Sequence, residues 1–288
     1  MTTIRIGCQL PQDTLDADHL IHDTLECERL GYDSVWTYDH LSPFWISSGE
    51  ALECWELLSA IAAQTSRIKI GSLVTNINLR NPALLAKMSS SLDNISGGRL
   101  IVGLGVGDKL SRNEMGAYGY DFRPIDERIG RLRETIQILK SLWRDRETSF
   151  EGKYFRIFRA RNYPKPKQSP HPPIWVGGKH HKLLDVVAEM GDGWNCWGLS
   201  RSERAERESY LLTKCAEIGR QPDRIVRSWA GPIPTVRKGE PYSKFVEEIK
   251  TELLRESNDR IDYFIGSFKT GASNQEYGAF MEAVRSIA

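Results

Sequence analysis

A rhythm in the chain restricts its fold more than any single motif: short runs rich in Ile, Val and aromatic residues alternate with longer runs whose apolar residues recur every three or four positions. Such alternation predicts a parallel sheet with crossover helices. Strands are read over residues 4–10, 34–40, 69–76, 99–107, 173–178, 194–197, 225–236 and 261–265. Helices are read over residues 16–30, 52–64, 82–96, 126–143, 182–190, 202–218, 242–255 and 276–287. Eight such pairs predict an α/β fold, a parallel (β/α)8 TIM barrel. The 288 residues suit one domain of that kind, which typically runs to about 250.

Local punctuation agrees with the pattern. Gly31 stands where the first helix must stop, and Asn81-Pro82 pairs an N-cap with a residue that loses nothing at the first helical position. The first helix is expected to bury Ala17, Leu20, Ile21, Thr24 and Leu25. Two stretches break the rhythm. Residues 108–125 are a polar insertion, and residues 148–172, with aromatic alternation and a KPKQSPHPP tail, predict an inserted hairpin and an extended connection.

Composition removes several function classes. A formal charge of +1 gives no global field to draw nucleic acid or an anionic membrane. Cys8, Cys27, Cys54, Cys196 and Cys215 are odd in number and lack C-x-x-C spacing, which argues against a disulfide framework or a zinc site and suggests a reducing cytoplasm. Neither a leader-like N-terminus nor a run of about 18 apolar residues occurs, so neither export nor membrane spanning is expected. No metal is expected either, because His19 and His22 sit on a polar helix face and the neighbours His180 and His181 would diverge.

In a barrel of this kind, chemistry gathers at the C-terminal ends of the strands. Strand two ends in Tyr38-Asp39-His40, strand three in Leu73-Val74-Thr75-Asn76, and strand four in Gly105-Val106-Gly107-Asp108-Lys109. Strand five ends in Gly177-Gly178 and strand six in Asn195-Cys196-Trp197. His40 is the side chain most easily poised to exchange a proton near neutrality. Asp39 precedes it, but adjacent strand residues point oppositely, so the two serve different parts of a site. Gly103, Gly105 and Gly107 fail the dinucleotide fingerprint, since Asp108 occupies the third glycine position; they are read either as room for a planar ring against the backbone or as close packing alone. Gly177-Gly178-Lys179 also misses the phosphate-loop motif, although backbone N–H groups before a helix can hold a phosphate. Cys196 has no histidine partner in the sequence logic, and a free cysteine at a strand end is more often a packing residue than a nucleophile. Phe44, Trp45 and Trp55 could wall a pocket or join a core.

The segments GYDSVWTYDHL, TSRIKIGSLVTN, RNPALLAKMSSSLDNISGGRLIVGLGVGDK, DERIGRLRETIQILKSLW, FEGKYFRI, HPPIWVGG and GDGWN together resemble the bacterial luciferase-like family of flavin and deazaflavin oxidoreductases. The ends Asp39-His40 and Gly107-Asp108-Lys109 are similar to members that use coenzyme F420, a deazaflavin. The resemblance implies hydride transfer between F420 and a small organic substrate, with His40 and Asp108 as catalytic groups. It implies cofactor contacts from Asp39, Leu73, Val74, Thr75, Gly107, Gly177, Gly178, Cys196 and Trp197, and a non-prolyl cis peptide between Leu73 and Val74. Sugar-phosphate members carry a lysine soon after strand six, where this chain has Leu199, Ser200 and Arg201, so a sugar phosphate is not the expected substrate. The alternatives are an FMN-dependent monooxygenase of the same fold and a non-catalytic flavin-binding barrel. Family members commonly form homodimers through the helices beside strands two and three, here Leu52, Leu57 and residues 83–88.

Overall fold

The computed structural model describes residues 4–14, 16–43, 49–256 and 261–287. From the N-terminus run β1 (Arg5–Gln9), α1 (Ala17–Leu30), β2 (Ser34–Thr37), α2 (Cys54–Gln64), β3 (Lys69–Ser72), the short β4 (Thr75–Asn76) and α3 (Pro82–Ile95). Then come β5 (Leu100–Gly105), α4 (Lys109–Ala117), α5 (Ile125–Arg144), the hairpin β6 (Thr148–Glu151) and β7 (Arg156–Ala160), β8 (Ile174–Gly177) and α6 (His181–Met190). The chain finishes with β9 (Gly193–Trp197), α7 (Arg201–Glu217), β10 (Val226–Pro232), α8 (Tyr242–Glu256), β11 (Tyr263–Ser267) and α9 (Asn274–Ile287).

The main sheet runs β3-β2-β1-β11-β10-β9-β8-β5, every pairing parallel, and β5 pairs back to β3 to close the barrel. β4 carries the line of β3 onward against β5. Side chains alternate across this wall, as a period of two requires. Ile6, Cys8, Val35, Ile70, Val102 and Cys196 point outward into the core beneath the helices. Trp36, Ile101, Trp175, Tyr263 and Ile265 fill the lumen.

The lumen is packed by matching bulk to its absence. Trp36 and Trp175 lie with ring centroids 4.8 Å apart, and Tyr263 meets Trp175 edge-on at 5.4 Å. A Cβ on Gly71 would come within 2.5 Å of the Trp36 ring, and one on Gly193 within 2.6 Å of Trp175. Large rings opposite bare backbone make the interior a packed core and leave only its upper end for a ligand.

The strand and helix expectations hold nearly throughout. Strand three is interrupted at Leu73-Val74, whose peptide is cis, as the resemblance implied. The polar stretch of residues 108–125 contains the helix α4, which Asp108 opens through a capping box with Ser111. α1 buries Leu20, Thr24 and Cys27, whereas Leu25 is exposed, because Asp23 turns inward to accept the Tyr277 hydroxyl at 2.9 Å. Gly31 closes α1 at φ +86°, a left-handed turn that glycine adopts freely. The expected hairpin is present as β6 and β7, pinned where Glu134 of α5 accepts the N–H groups of Lys153 and Phe155 at 2.7 and 2.9 Å. Among the described residues no helix is long and apolar enough to cross a membrane.

Candidate active site

Asp39 and His40 follow β2, and their side chains meet different partners on opposite sides, as the sequence required. Asp39 turns outward and is 4% exposed. Its carboxylate accepts both ends of the Arg80 guanidinium, at 2.5 and 2.9 Å, and the Asn76 N–H at 2.9 Å. Arg80 also reaches Glu53 at the start of α2. Burial pushes the Asp39 carboxyl upward against the pull of Arg80, which the two carboxylates hold firmly charged. Asp39 therefore buttresses the strand ends, its carboxylate engaged by Arg80 and Asn76.

His40 faces the mouth of the barrel. Its Nδ1 contacts Glu114 Oε1 of α4, while Glu114 Oε2 accepts the Leu41 N–H at 2.6 Å and the Ser42 N–H at 3.2 Å. Burial pulls the His40 pKa down, but the Glu114 hydrogen bond and charge, helped by Asp108 and Asp39, outweigh it and hold the imidazole above its ordinary value. Glu114 moves the other way, because His40 and the two backbone donors overcome the cost of its own burial. Glu114 was invisible to sequence reasoning, since it lies 74 positions from His40 in a stretch read only as a polar insertion.

Asp108 lies near enough to act on His40 electrostatically. Its carboxylate is nevertheless occupied as the N-cap of α4, accepting Ser111 N at 2.9 Å and Ser111 Oγ at 3.0 Å. Gly107, at φ +76°, turns the chain into that cap. Arg128 of α5 secures the turn by donating to the Val106 and Gly107 carbonyls, each at 2.6 Å.

Leu73 and Val74 both join the inner cluster, Val74 half-buried at its upper surface. The strand-four glycines were read as room for a planar ring or as close packing alone; the structure gives that room to the protein itself. A Cβ on Gly103 would strike the Ser72 carbonyl, and one on Gly105 the Val74 side chain. From the facing strand, a Cβ on Gly177 would lie 2.8 and 3.0 Å from the two Val74 methyls. Trp197 also faces inward and is half-buried against this cluster.

Three more of the residues named as cofactor contacts have partners or packing inside the protein. Thr75 is fully buried, donating to Ser72 Oγ at 2.8 Å behind the strand. Gly178 donates its N–H to Asn195 O at 3.0 Å, so that donor is not available to a phosphate. Cys196 points outward beneath α7, and burial raises its thiol to about 11, which leaves it a packing residue. Trp55 joins the outer core, and Phe44 and Trp45 lie outside the described residues.

The resulting mouth has an apolar Val74–Trp197 floor, strand ends bare of side chains at Gly105, Gly107 and Gly177, and the Glu114-paired imidazole of His40 on the rim. A flat, low floor of this kind fits a planar ring. A depression of about 470 Å³ lies at the opposite end of the barrel, lined by Asp192, Gly219, Arg220, Gln221 and Arg224. There Arg220 is spent on the carbonyls of Val187, Ala188 and Gly191, which ties α6 down and offers no reactive group.

Comparison with known proteins agrees with this architecture. An F420-dependent glucose-6-phosphate dehydrogenase from Kineococcus radiotolerans is 32% identical over 194 residues, 67% of this chain and 56% of that protein. The chain thus matches little more than half the length of that relative. Among solved structures, an F420-dependent secondary alcohol dehydrogenase in complex with an F420-acetone adduct has a TM-score of 0.86 at 19% identity, covering 99% of both chains. A monooxygenase from Streptomyces bottropensis has a TM-score of 0.77, also at 19% identity, covering 98% of both. These two likenesses establish the shared barrel. The profile of the family described as luciferase-like monooxygenase matches residues 1–239, and the chain belongs to that family.

Proposed function

We propose that this chain is an F420-dependent oxidoreductase, binding the deazaflavin across the barrel mouth and transferring hydride between it and a small organic substrate. The observation that carries the reading is the His40–Glu114 pair standing on the rim of a flat apolar floor. The F420-dependent dehydrogenases among its relatives support the choice of deazaflavin. When bound, the deazaflavin supplies the carbon that gives or accepts hydride. Val74, Leu73, Gly107, Gly177 and Trp197 would hold its ring, and Asp108 would border the substrate.

His40, with Nδ1 held by Glu114, exchanges at Nε2 the proton that a substrate hydroxyl loses or a carbonyl oxygen gains. Its raised pKa keeps imidazolium available near neutrality, which favours protonation of a carbonyl oxygen. A phosphorylated substrate is not favoured: Leu199 is buried, and Ser200 serves as N-cap of α7. The buried free thiols suit a reducing cytoplasm. A second copy of the chain would dock on α2 and α3, where Leu84 and Ile95 are exposed beside a groove of about 250 Å³ lined by Trp55, Met88 and Leu92.

Titrating the purified protein with F420 and with FMN tests the reading, and F420 is expected to bind. Tight FMN binding without F420 binding would overturn it. His40→Ala is expected to keep cofactor affinity and lower turnover by about 10²–10⁴-fold. The second reading is an FMN-dependent monooxygenase, favoured by the family's own description and by the Streptomyces neighbour. Substrate-dependent oxygen consumption with reduced FMN would establish it.

A further inference from the structure

β1 carries a side chain to which neither packing nor the site described above gives a task. A Cβ on Gly7 would lie 2.8 Å from Ser34 Oγ and from Trp36 Nε1, so Gly7 faces the lumen, whereas Ile6, Cys8 and Leu10 pack outward. Two residues on, at the ligand end of β1, Gln9 faces the lumen as well. Gln9 is 5% exposed, its Oε1 is buried without a partner, and neither end of its carboxamide hydrogen-bonds another described residue.

Gln12, three positions later, shows what a buried glutamine ordinarily does. It donates from Nε2 to Leu52 O at 2.5 Å and accepts the Tyr38 N–H on Oε1 at 3.0 Å. Both ends of one amide are satisfied inside the protein, whereas the Oε1 of the other is buried with no partner. An unpaired buried carbonyl oxygen is costly, and where one persists it calls for a partner outside the protein. Along the closed sheet, β1 stands across the barrel from β8, whose Gly177 seats Val74. Gln9 therefore borders the mouth opposite the floor on which a ring would lie.

A carboxamide offers an acceptor and a donor side by side, and it pairs best with an edge that offers the same two groups in reverse. We propose that Gln9 is a ligand-binding residue of the mouth, its carboxamide pairing with the N–H and carbonyl edge of an imide ring. F420 and FMN share such an edge in their pyrimidinedione, so the assignment rests on the ring-binding reading of the mouth but not on which of the two cofactors is used.

The test is Gln9→Met, which keeps length and apolar volume and removes both polar atoms, with Gln9→Ala as a second variant. Affinity for F420 and for FMN would be read by fluorescence titration, and thermal stability without cofactor would be read alongside. The variants should bind the preferred cofactor about tenfold more weakly, as expected for loss of one paired edge. Gln9→Met should melt at or above the wild-type temperature when cofactor-free, since an unpaired amide is removed. A 3-methylated FMN, which cannot donate from the imide, should lose the distinction between wild type and variant. Unchanged cofactor affinity in both variants overturns the proposal while leaving the proposed function standing. A clear drop in cofactor-free melting temperature for Gln9→Met also overturns it, because the amide would then have partners of its own. Failure of the wild type to bind either cofactor removes the proposed function and this inference together.

Discussion

Glu114→Gln probes the rim of the site most directly, because one carboxylate there serves several donors. Oε1 meets His40 Nδ1, and Oε2 accepts Leu41 N at 2.6 Å, Ser42 N at 3.2 Å and Ser42 Oγ at 3.3 Å. A carboxylate accepts at both oxygens, a carboxamide at only one. If the amide oxygen stays on Leu41 and Ser42, its NH₂ faces Nδ1, and neutral His40 must carry its proton on Nε2. The opposite placement sets the NH₂ against two backbone N–H groups. While His40 is protonated, its Nδ1–H either loses its acceptor to the facing NH₂ or trades an ion-pair hydrogen bond for one to an uncharged amide oxygen, a cost of about 1–2 kcal/mol.

The pH window follows from the two shifts. His40 is raised, so the contribution of its protonated form is complete below the unfolded histidine value near 6.5 and fades as pH rises through the folded value. Glu114 is lowered, so its contribution is present above the ordinary carboxylate range and is lost as pH falls through its depressed value. The stability gap between wild type and variant should be widest at about pH 5–6 and narrow on the alkaline side. Urea denaturation at pH 5.5 and pH 9 measures the gap, and ¹⁵N spectra of the imidazole report tautomer and titration. In the variant, burial is left less opposed, and His40 should titrate lower. An unshifted titration with the same neutral tautomer would refute the assignment of Glu114 as the partner that sets His40.

Arg80→Met should cost ~3–5 kcal/mol by stranding the buried Asp39, with much of the loss recovered in the Asp39→Asn/Arg80→Met double variant; a cost below about 1 kcal/mol would contradict the buttress. Gly177→Ala should destabilise by ~1–3 kcal/mol through the close approach to Val74, and pairing it with Val74→Ala should relieve that cost. Cys196→Ala should leave cofactor affinity unchanged and cost about 1 kcal/mol, as a change in packing does. Weakened binding would restore Cys196 to the site.

The barrel was legible because its two periods, near two for strands and 3.6 for helices, are written directly in residues such as Val35, Ile70, Ile129 and Leu132. The opposed directions of Asp39 and His40 were legible for the same reason. Their partners were not. Arg80 and Glu114 meet these residues across 41 and 74 positions, and pairings at such range depend on how loops fold over the strand ends, which no local period encodes. The glycines of strand four illustrate a subtler limit. Their need for space was readable, but a bare Cα does not reveal whether a ligand or a neighbouring strand claims that space; Ser72 and Val74 claim it here. Gln9 carried no signal at all, since a lone glutamine at the end of a strand looks like an ordinary solvated residue until its surroundings are known.

Val74 is keyed into Gly105 and Gly177 from two different strands, so the three positions form one lock and not three independent sites. Drift at any of them is tied to the others. A branched residue at 74 keeps glycine at both 105 and 177, and a side chain at either glycine requires position 74 to shrink. Among descendants of this chain the trio should change in concert, and anyone reshaping the mouth for a different ring would have to recut all three positions together.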